Sequence, residues 1–263
     1  MENPDRELFK KIFSLFEANR FHEFVPQEKV IRIGECFIGF PYRKGLLQRE
    51  GREHLVVNLR EQDCVTFVEN TLSLLYTLAS HRPTFETFKK TLKRIRYREG
   101  KMEGYPSRLH YFSEWIKDNE RKGFIQEVSK EIGGVVFRKS LHYMTDHLSL
   151  YPPLRNQRNI HEMKRVERRI GRKPFFFIPK ENLPGVEPLI QEGDLIAIVT
   201  REEGLDIQHV GFAKKIRNRV HLLHASEKEG KVILSKETLY RYLMKNRKSL
   251  GIRVARIKMV SSI

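Results

Sequence analysis

The chain has 263 residues, of which 40% are hydrophobic, so it has enough apolar surface for one large domain or two small ones. Its two cysteines exclude a disulfide framework, and no apolar run approaches the length that a membrane span requires. The net charge of +17 favours attraction to an anionic polymer, but no nucleic-acid-binding motif accompanies it, and we expect no nucleic-acid partner.

The N-terminal part of the chain predicts two helices and a loop. In residues 1–20 apolar and charged side chains fall on opposite sides, which predicts an amphipathic helix; the charges break the apolar run that a signal peptide needs. On this interpretation the protein is either cytoplasmic or has lost an export signal. Pro26 suits the first turn of a second helix, and residues 39–45 form a turn-rich loop with Tyr42 at its centre.

A third helix is predicted to begin at Cys64. Apolar positions recur after it at intervals of three and four residues as far as Ser80, and Asp63 is suited to cap the first turn. The positive end of the helix dipole is expected to lower the pKa of the Cys64 thiol, whose sulfur points toward the body of the protein. A single cysteine on a helix is more often a packing residue than a nucleophile, and we interpret Cys36 as structural.

Residues 83–188 are predicted to be an insertion within a single domain that covers residues 1–263. Helical spacing predicts one helix over residues 84–97 and a second through residues 107–115, and the apolar residues 175–178 indicate a buried strand.

The second helical pattern of the insertion carries a group of candidate ligand-binding side chains. Arg108, His110 and Tyr111 suit a polar ligand, because arginine donates in a fork and aromatic rings stack. Alternatively, Tyr111 and Trp115, four residues apart, form a packed helix face. Both interpretations remain open on the sequence alone.

The densest basic cluster lies between residues 155 and 173. Apolar residues run through it at helical spacing, so most of its charges are predicted to form the solvated face of a packed helix. Those apolar residues are Ile160, Met163, Val166 and Ile170.

The last third of the chain changes to strands. Runs of β-branched and alternating residues, separated by turn signals, predict strands over 193–199, 209–213, 220–226 and 252–259, with a short helix over 237–245.

Two histidines share one face of the predicted sheet. If a four-residue turn joins their strands, His209 lies directly opposite His224; a two-residue turn keeps the shared face and displaces the pair along the strands. Gly211 and Ala213 make that face shallow, so that the Cys64 helix is expected to approach it closely.

A thiol at a helix start, a histidine and a second polar group on neighbouring strands match the nucleophile, base and orienting group of cysteine hydrolases. In this arrangement His209 takes the proton of Cys64, and His224 fixes the ring of His209. The alternatives are a hydrogen-bonded pair in the core or a metal site. The spacings that make a zinc site convincing are absent from the sequence.

Five separated motifs, in this order, resemble the NlpC-type papain-like cell-wall hydrolases over roughly residues 30–242. They are Gly39-Phe40-Pro41-Tyr42, Asp63-Cys64, Gly193-Asp194-Leu195, His209-Val210-Gly211 and His224-Ala225. Two further stretches resemble more closely the N-acetylmuramoyl-L-alanine-amidase-like branch of that group. They are Asn58-Leu59 with residues 63–69, and Arg108-Leu109-His110-Tyr111 with Trp115. The chain departs from the broader group in Val65-Thr66, where Ser-Gly is usual, and in its long insertion.

The resemblance implies an α+β papain-like domain whose antiparallel sheet packs on the Cys64 helix and whose insertion, residues 83–188, walls the cleft. It implies a cysteine amidase acting on peptidoglycan fragments, at the bond between N-acetylmuramic acid and L-alanine, without a cofactor or metal. The catalytic residues implied are Cys64, His209 and His224. The oxyanion and substrate-binding residues implied are Tyr42, Asp63, Arg108, His110 and Tyr111.

Two other functions remain open on the sequence. The same triad also serves an endopeptidase that cuts the L-alanyl-γ-D-glutamyl bond of the stem peptide. A basic binding protein with a structural cysteine is the alternative from another class. The resemblance implies the cell envelope or periplasm, although the pattern of residues 1–20 does not predict a signal peptide.

Overall fold

The computed structural model describes residues 3–18, 23–49 and 51–258. The two ends of the predicted N-terminal helix and Met259 of the predicted last strand lie outside these residues. The helices of the described part are α1 (Pro4–Ala18), α2 (Pro26–Glu35), α3 (Cys64–Leu78), α4 (Phe85–Arg96), α5 (Phe112–Arg121), α6 (Tyr143–Asp146), α7 (Gln157–Gly171), α8 (Leu183–Val186) and α9 (Leu239–Lys245). The strands are β1 (Ile125–Glu127), β2 (Val135–Phe137), β3 (Phe175–Pro179), β4 (Leu195–Thr200), β5 (Ile207–Ile216), β6 (Arg219–Ser226), β7 (Lys231–Thr238) and β8 (Ser249–Ile257).

The strands form one antiparallel sheet in the order β2-β3-β8-β4-β5-β6-β7, with β1 also paired to β8. An α+β fold with an antiparallel sheet is therefore confirmed. The predicted closing strand, β8, is central rather than peripheral, because β4 occupies one side of it and β1 and β3 share the other. No helix of the described part is long and apolar enough to cross a membrane.

Helix α3 covers one face of this sheet and α9 covers the other. On the α3 face the rings of Phe67 and Phe212 meet edge to face at 5.8 Å, in a core that also buries Val210. On the α9 face Leu239 and Leu243 pack in a second core with the alternate residues of the same strands. Successive strand residues point to opposite faces, so neighbouring positions of β5 enter different cores.

The turn between β5 and β6 has two residues, Arg217 and Asn218, with φ of 48° and 62°. Positive φ at both central positions matches the right-handed twist of a tight hairpin. Ile216 consequently pairs with Arg219 and Phe212 with Leu223. The four-residue turn that places His209 directly opposite His224 is therefore wrong, and the two-residue alternative is correct.

Several helices of residues 83–188 follow the predicted spacing. In α4 the side chains of Phe88, Leu92 and Ile95 are buried, and β3 forms at the predicted strand. The helix around the only tryptophan begins at Phe112 instead of Ser107, because residues 105–107 form a separate 3-10 turn and the four residues after it are extended or irregular.

The basic segment forms α7, as its spacing predicts. Met163 and Val166 on its inner side are buried in a third core with Tyr105 and Tyr111, while its basic residues are exposed. This core joins α6, α7 and the turn that precedes Arg108.

Candidate active site

Cys64 is the first residue of α3, and its position is fixed by a reciprocal cap. The amide of Thr66 donates to Asp63 Oδ1 at 2.7 Å, and the amide of Asp63 donates to Thr66 Oγ1 at 2.8 Å. Two of the free amides at the helix start are satisfied in this way. The predicted N-cap role of Asp63 is confirmed.

The loop of Tyr42 is attached to the segment that leads into Cys64. Gln62 donates its amide to the carbonyl of Pro41 at 3.0 Å and accepts from the amide of Arg43 at 3.0 Å. Buried Gln62 is itself held by Asn70 of α3, whose Nδ2 donates to Gln62 Oε1 at 2.9 Å. These bonds place half-buried Tyr42 next to Cys64. Burial raises the pKa of Tyr42, and the nearby charge of a Cys64 thiolate raises it further.

The Cys64 sulfur is enclosed by protein atoms beside the backbone amide of Val210, although the residue as a whole is only half-buried. Burial raises the pKa of the thiol to about 12, and the adjacent Asp63 carboxylate adds to the rise. The amides of Val210, Val65 and Cys64 itself lower it, but by less. The prediction that the helix dipole lowers this pKa is wrong, because desolvation of the thiolate outweighs the favourable amides.

The amide of Val210 lies where β5 and β6 separate. These strands pair from Ile216 and Arg219 only as far as Phe212 and Leu223, after which β6 continues to pair with β7. The N-terminus of α3 meets β5 at Val210, just beyond the last paired position of β5 and β6.

The two histidines meet across β5 and β6, next to Val210. His209 Nε2 and His224 Nδ1 are 2.6 Å apart, and their rings are perpendicular, with centroids 4.7 Å apart. Gly211 permits this approach, because a Cβ added to it lies 2.8 Å from the Cβ of His224 and 2.7 Å from the carbonyl oxygen of Leu223. The sequence therefore predicted correctly that the imidazoles share a face and interact.

Burial keeps both imidazoles neutral at neutral pH. It lowers the pKa of His209 to about 4 and that of His224 to about 3, and His209 contributes to the second shift. His209 is half-buried, whereas His224 is only 1% exposed, so the surface reaches the first ring but not the second. The Nε2 atom of His224 is buried and has no hydrogen-bond partner among the described residues.

In the described part of the chain, no group of three or more His, Cys, Asp and Glu side chains is arranged to hold a metal ion.

The AmiA-like family, described as N-acetylmuramoyl-L-alanine amidase-like, matches residues 32–252 of the sequence. The chain belongs to this family.

Solved structures agree with this assignment. An N-acetylmuramoyl-L-alanine amidase from Bacteroides uniformis is 37% identical with a TM-score of 0.84, and the match covers 89% of this chain and 99% of that one. A Bacteroides fragilis protein provisionally named a xylanase is 39% identical with a TM-score of 0.81, covering 86% and 99%. A Legionella pneumophila protein, 20% identical with a TM-score of 0.72 over 98% and 96% of the two chains, shares the fold. No curated protein matches the sequence.

In this amidase-like chain, Tyr242 of α9 completes the surroundings of the histidine pair. Its ring lies roughly parallel to His209 with centroids 6.3 Å apart, and edge-on to His224 at 5.7 Å. Burial and the charge of a Cys64 thiolate both raise the pKa of Tyr242. Helix α9, and not α3, therefore covers the histidine face, and the prediction that the Cys64 helix does so is wrong.

The sequence carries a signal for the position of Tyr242. A helix was predicted over residues 237–245, and Tyr242 lies between Leu239 and Leu243, the two residues that face the core. The spacing of that helix placed an aromatic ring against the sheet.

Glu69 of α3 is a second residue that the sequence reasoning did not single out. The carboxylate is 1% exposed and accepts from Arg96 Nε at 2.6 Å and from Trp115 Nε1 at 3.2 Å. Arg96 ends α4 and Trp115 lies in α5. One buried carboxylate thus joins three helices of the amidase-like domain.

The predicted ligand-binding residues Tyr111 and His110 are both engaged with other parts of the protein. Tyr111 is 1% exposed and donates to Glu167 Oε1 at 2.7 Å, and Trp115 is fully buried, as in the packing alternative. His110 Nε2 is 2.8 Å from the carbonyl oxygen of Tyr105, and burial lowers the pKa of His110 well below its usual value.

Arg108 belongs to the same segment and is held by the loop that follows Tyr42. Its Nη1 donates to the carbonyl of Leu47 at 2.6 Å and lies 3.5 Å from Glu53. Its Nη2 is buried without a partner among the described residues. Substrate binding by Arg108, His110 and Tyr111 stays a prediction.

Proposed function

We propose that the chain is a cysteine amidase that hydrolyses an amide bond in peptidoglycan fragments, on an NlpC-type papain-like domain. The observation that carries the proposal is the 2.6 Å contact between His209 and His224 beside the Val210 amide at which the Cys64 sulfur lies. A buried histidine pair of this kind orients a base, and the sulfur of the helix-capped Cys64 lies beside the backbone amide of Val210, the residue that follows His209. Membership of an amidase-like family supports the same reaction.

The free enzyme starts with a neutral thiol and a neutral imidazole. The pKa of Cys64 is raised to about 12 and that of His209 is lowered to about 4, so no thiolate–imidazolium pair is stable before substrate binds. His209 therefore acts as a general base that removes the thiol proton as the sulfur attacks.

The hydrogen bond between the histidines selects the nitrogen that does this. His209 Nε2 is engaged with His224 Nδ1, which leaves His209 Nδ1 to accept the proton. His209 then donates its Nε2 proton to His224 Nδ1, and His224 carries its own proton on the buried Nε2. This arrangement holds the base in one tautomer and one orientation.

The reaction proceeds through a thioester. The Cys64 sulfur bonds to the amide carbon, and the backbone amide of Cys64 and the hydroxyl of Tyr42 stabilise the oxyanion. His209 returns the proton to the leaving amine as the carbon–nitrogen bond breaks. Water, deprotonated by His209, then attacks the thioester and releases the carboxylate and the thiol.

The bond proposed is that between N-acetylmuramic acid and L-alanine, as in the name of the Bacteroides uniformis relative. Residues 83–188, which include α5 and α7, are proposed to wall the cleft of the single domain. The stem-peptide endopeptidase is the closest alternative, since it needs the same triad.

The test is a mass-detected assay with a muramyl-L-alanine substrate and an L-alanyl-γ-D-glutamyl peptide. Release of free N-acetylmuramic acid from the first, abolished by Cys64→Ser, is the expected result. Cleavage of the second alone assigns the endopeptidase activity. Binding of either substrate without turnover by the unmodified protein leaves the cysteine structural and contradicts the proposal.

A further inference from the structure

The outer side of α7 is a continuous cationic surface. Its exposed basic residues lie on one side of the helix, at separations of three, four and seven residues, and from the first to the last they span about 21 Å at a rise of about 1.5 Å per residue. We call this surface the α7 cationic face; it consists of Arg158, Lys164, Arg165, Arg168 and Arg172.

The carboxylates of α7 do little to neutralise this face. Glu162 pairs with Arg165 at 3.1 Å, whereas Glu167 is buried and accepts from Tyr111 and Thr145. Among the described residues, no carboxylate pairs with the other four members of the face. Like charges at this spacing mildly destabilise a helix, so the stability of α7 does not explain why its exposed side carries so many cations.

A cavity of about 270 Å³ lies beside the C-terminal end of α7, where Arg169, Ile170 and Lys173 line it. Its wall includes Lys117 of α5 and Lys173, neither of which pairs with a carboxylate in the described part of the chain. Two of its acidic wall residues are already occupied, because Glu127 forms two hydrogen bonds with Arg253, at 2.7 and 2.9 Å, and Glu114 pairs with Arg98 at 2.7 Å.

We propose that the α7 cationic face binds the carboxylate-bearing glycan–peptide polymer of the cell wall and holds the enzyme on it. This inference rests on the proposed function, which supplies the class of polymer, and extends it from soluble fragments to the polymer itself. The face suits a flexible chain of separated negative charges, because its cations are spread along a helix instead of converging on one point.

The composition of α7 favours this partner over two other anionic ones. A membrane surface needs apolar side chains beside the cations, and Met163 and Val166 of α7 are buried. A single-stranded nucleic acid needs aromatic platforms for its bases, and no tryptophan, tyrosine or phenylalanine lies in Gln157–Gly171.

The test measures cosedimentation of the Cys64→Ser protein with purified, insoluble peptidoglycan, so that turnover plays no part. In that background, one variant of the α7 cationic face, called the stripe variant, replaces Arg158, Arg165, Arg168 and Arg172 by glutamine. The change removes four positive charges, and glutamine is a good helix former, so α7 is expected to stay folded. The matched control replaces four exposed cations from other elements by glutamine and changes the net charge equally. These are Lys11, Lys90, Lys236 and Arg247.

We expect the stripe variant to bind peptidoglycan about tenfold or more weakly at physiological salt, and the control to bind within about threefold of the parent. The affinity of the parent is also expected to fall as sodium chloride rises from about 50 to 500 mM, a measurement that does not depend on how the variant folds.

Equal weakening of the stripe variant and the control shows that net charge alone acts and overturns the proposal. Salt-independent binding of the parent overturns it too. The proposal is also overturned if the parent binds phosphatidylglycerol vesicles or DNA as tightly as it binds peptidoglycan, and if the stripe variant loses that binding to the same extent. Failure of the amidase assay with stripe-dependent binding intact refutes only the proposed chemistry.

Discussion

Replacing His224 tests the proposed catalytic geometry most directly. His209 Nε2 lies 2.6 Å from His224 Nδ1 in the parent. His224→Ala removes this acceptor and leaves the Nε2 donor of His209 unsatisfied. An unsatisfied buried donor costs about 1–3 kcal/mol, and a factor of ten in rate corresponds to about 1.4 kcal/mol, so we expect kcat to fall by about 10- to 100-fold. The loss arises because the His209 ring is free to rotate away from the thiol.

Two conservative variants separate hydrogen bonding from packing. Asparagine carries Oδ1 the same number of bonds from Cβ as histidine carries Nδ1, so His224→Asn restores an acceptor at nearly the observed position. Glutamine carries its oxygen one bond farther. We expect kcat to rank parent, His224→Asn, His224→Gln and His224→Ala, measured with a soluble muramyl-L-alanine substrate after circular dichroism shows that each variant folds.

His221 is the control, because it is half-buried on the opposite face of the same strand. Its Nδ1 lies 2.9 Å from the carbonyl oxygen of Ser235. His221→Ala is expected to leave kcat within about threefold of the parent, as for a residue outside the catalytic hydrogen bonds. A silent His224→Ala together with a damaging His221→Ala refutes the assignment of the triad.

Three further predictions concern the surroundings of His209. Because its pKa is lowered to about 4 and the base must be neutral, kcat/KM is expected to stay level from about pH 7 to 5 and to fall as pH drops through about 4; a midpoint near the usual pKa of about 6.5 contradicts this. Gly211→Ala is expected to destabilise the fold by about 1–3 kcal/mol and to lower kcat, because the added Cβ lies within 3.0 Å of the β6 backbone and of His224. The control in thermal unfolding is Gly185→Ala, whose added Cβ has no atom within 4 Å. Tyr242→Phe is expected to retain most activity and Tyr242→Leu to lose it, since the ring positions the imidazoles; equal losses assign the effect to the hydroxyl.

Local patterns predicted most of the helices and the long strands. An apolar stripe at helical spacing marks three of the helices, which are Cys64–Leu78, Phe85–Arg96 and Gln157–Gly171. Tertiary packing buries each stripe and so agrees with the local pattern. The strands β1 and β2 have three residues each, too few to show alternation, and β7 was missed because apolar residues 232–234 are contiguous and so show no alternation.

The errors at the site came from properties that depend on more than one element. Alternation placed His209 and His224 on one face, but the length of the turn, set by positive φ at Arg217 and Asn218, decided their register. The choice between α3 and α9 as the cover of that face depends on which core each helix joins, and sequence spacing carries no such information. The pKa of Cys64 depends on how completely the assembled domain encloses the sulfur.

The carboxylate of Glu69 makes the insertion difficult to exchange between relatives. Its partners Arg96 and Trp115 lie within residues 83–188, whereas Glu69 lies on α3, outside them. A chimaera that replaces the insertion without supplying both donors leaves a carboxylate buried and unpaired, at a cost of about 3–5 kcal/mol. Helix α3 and residues 83–188 are therefore coupled through one buried charge, and a graft must carry Glu69 with its two partners.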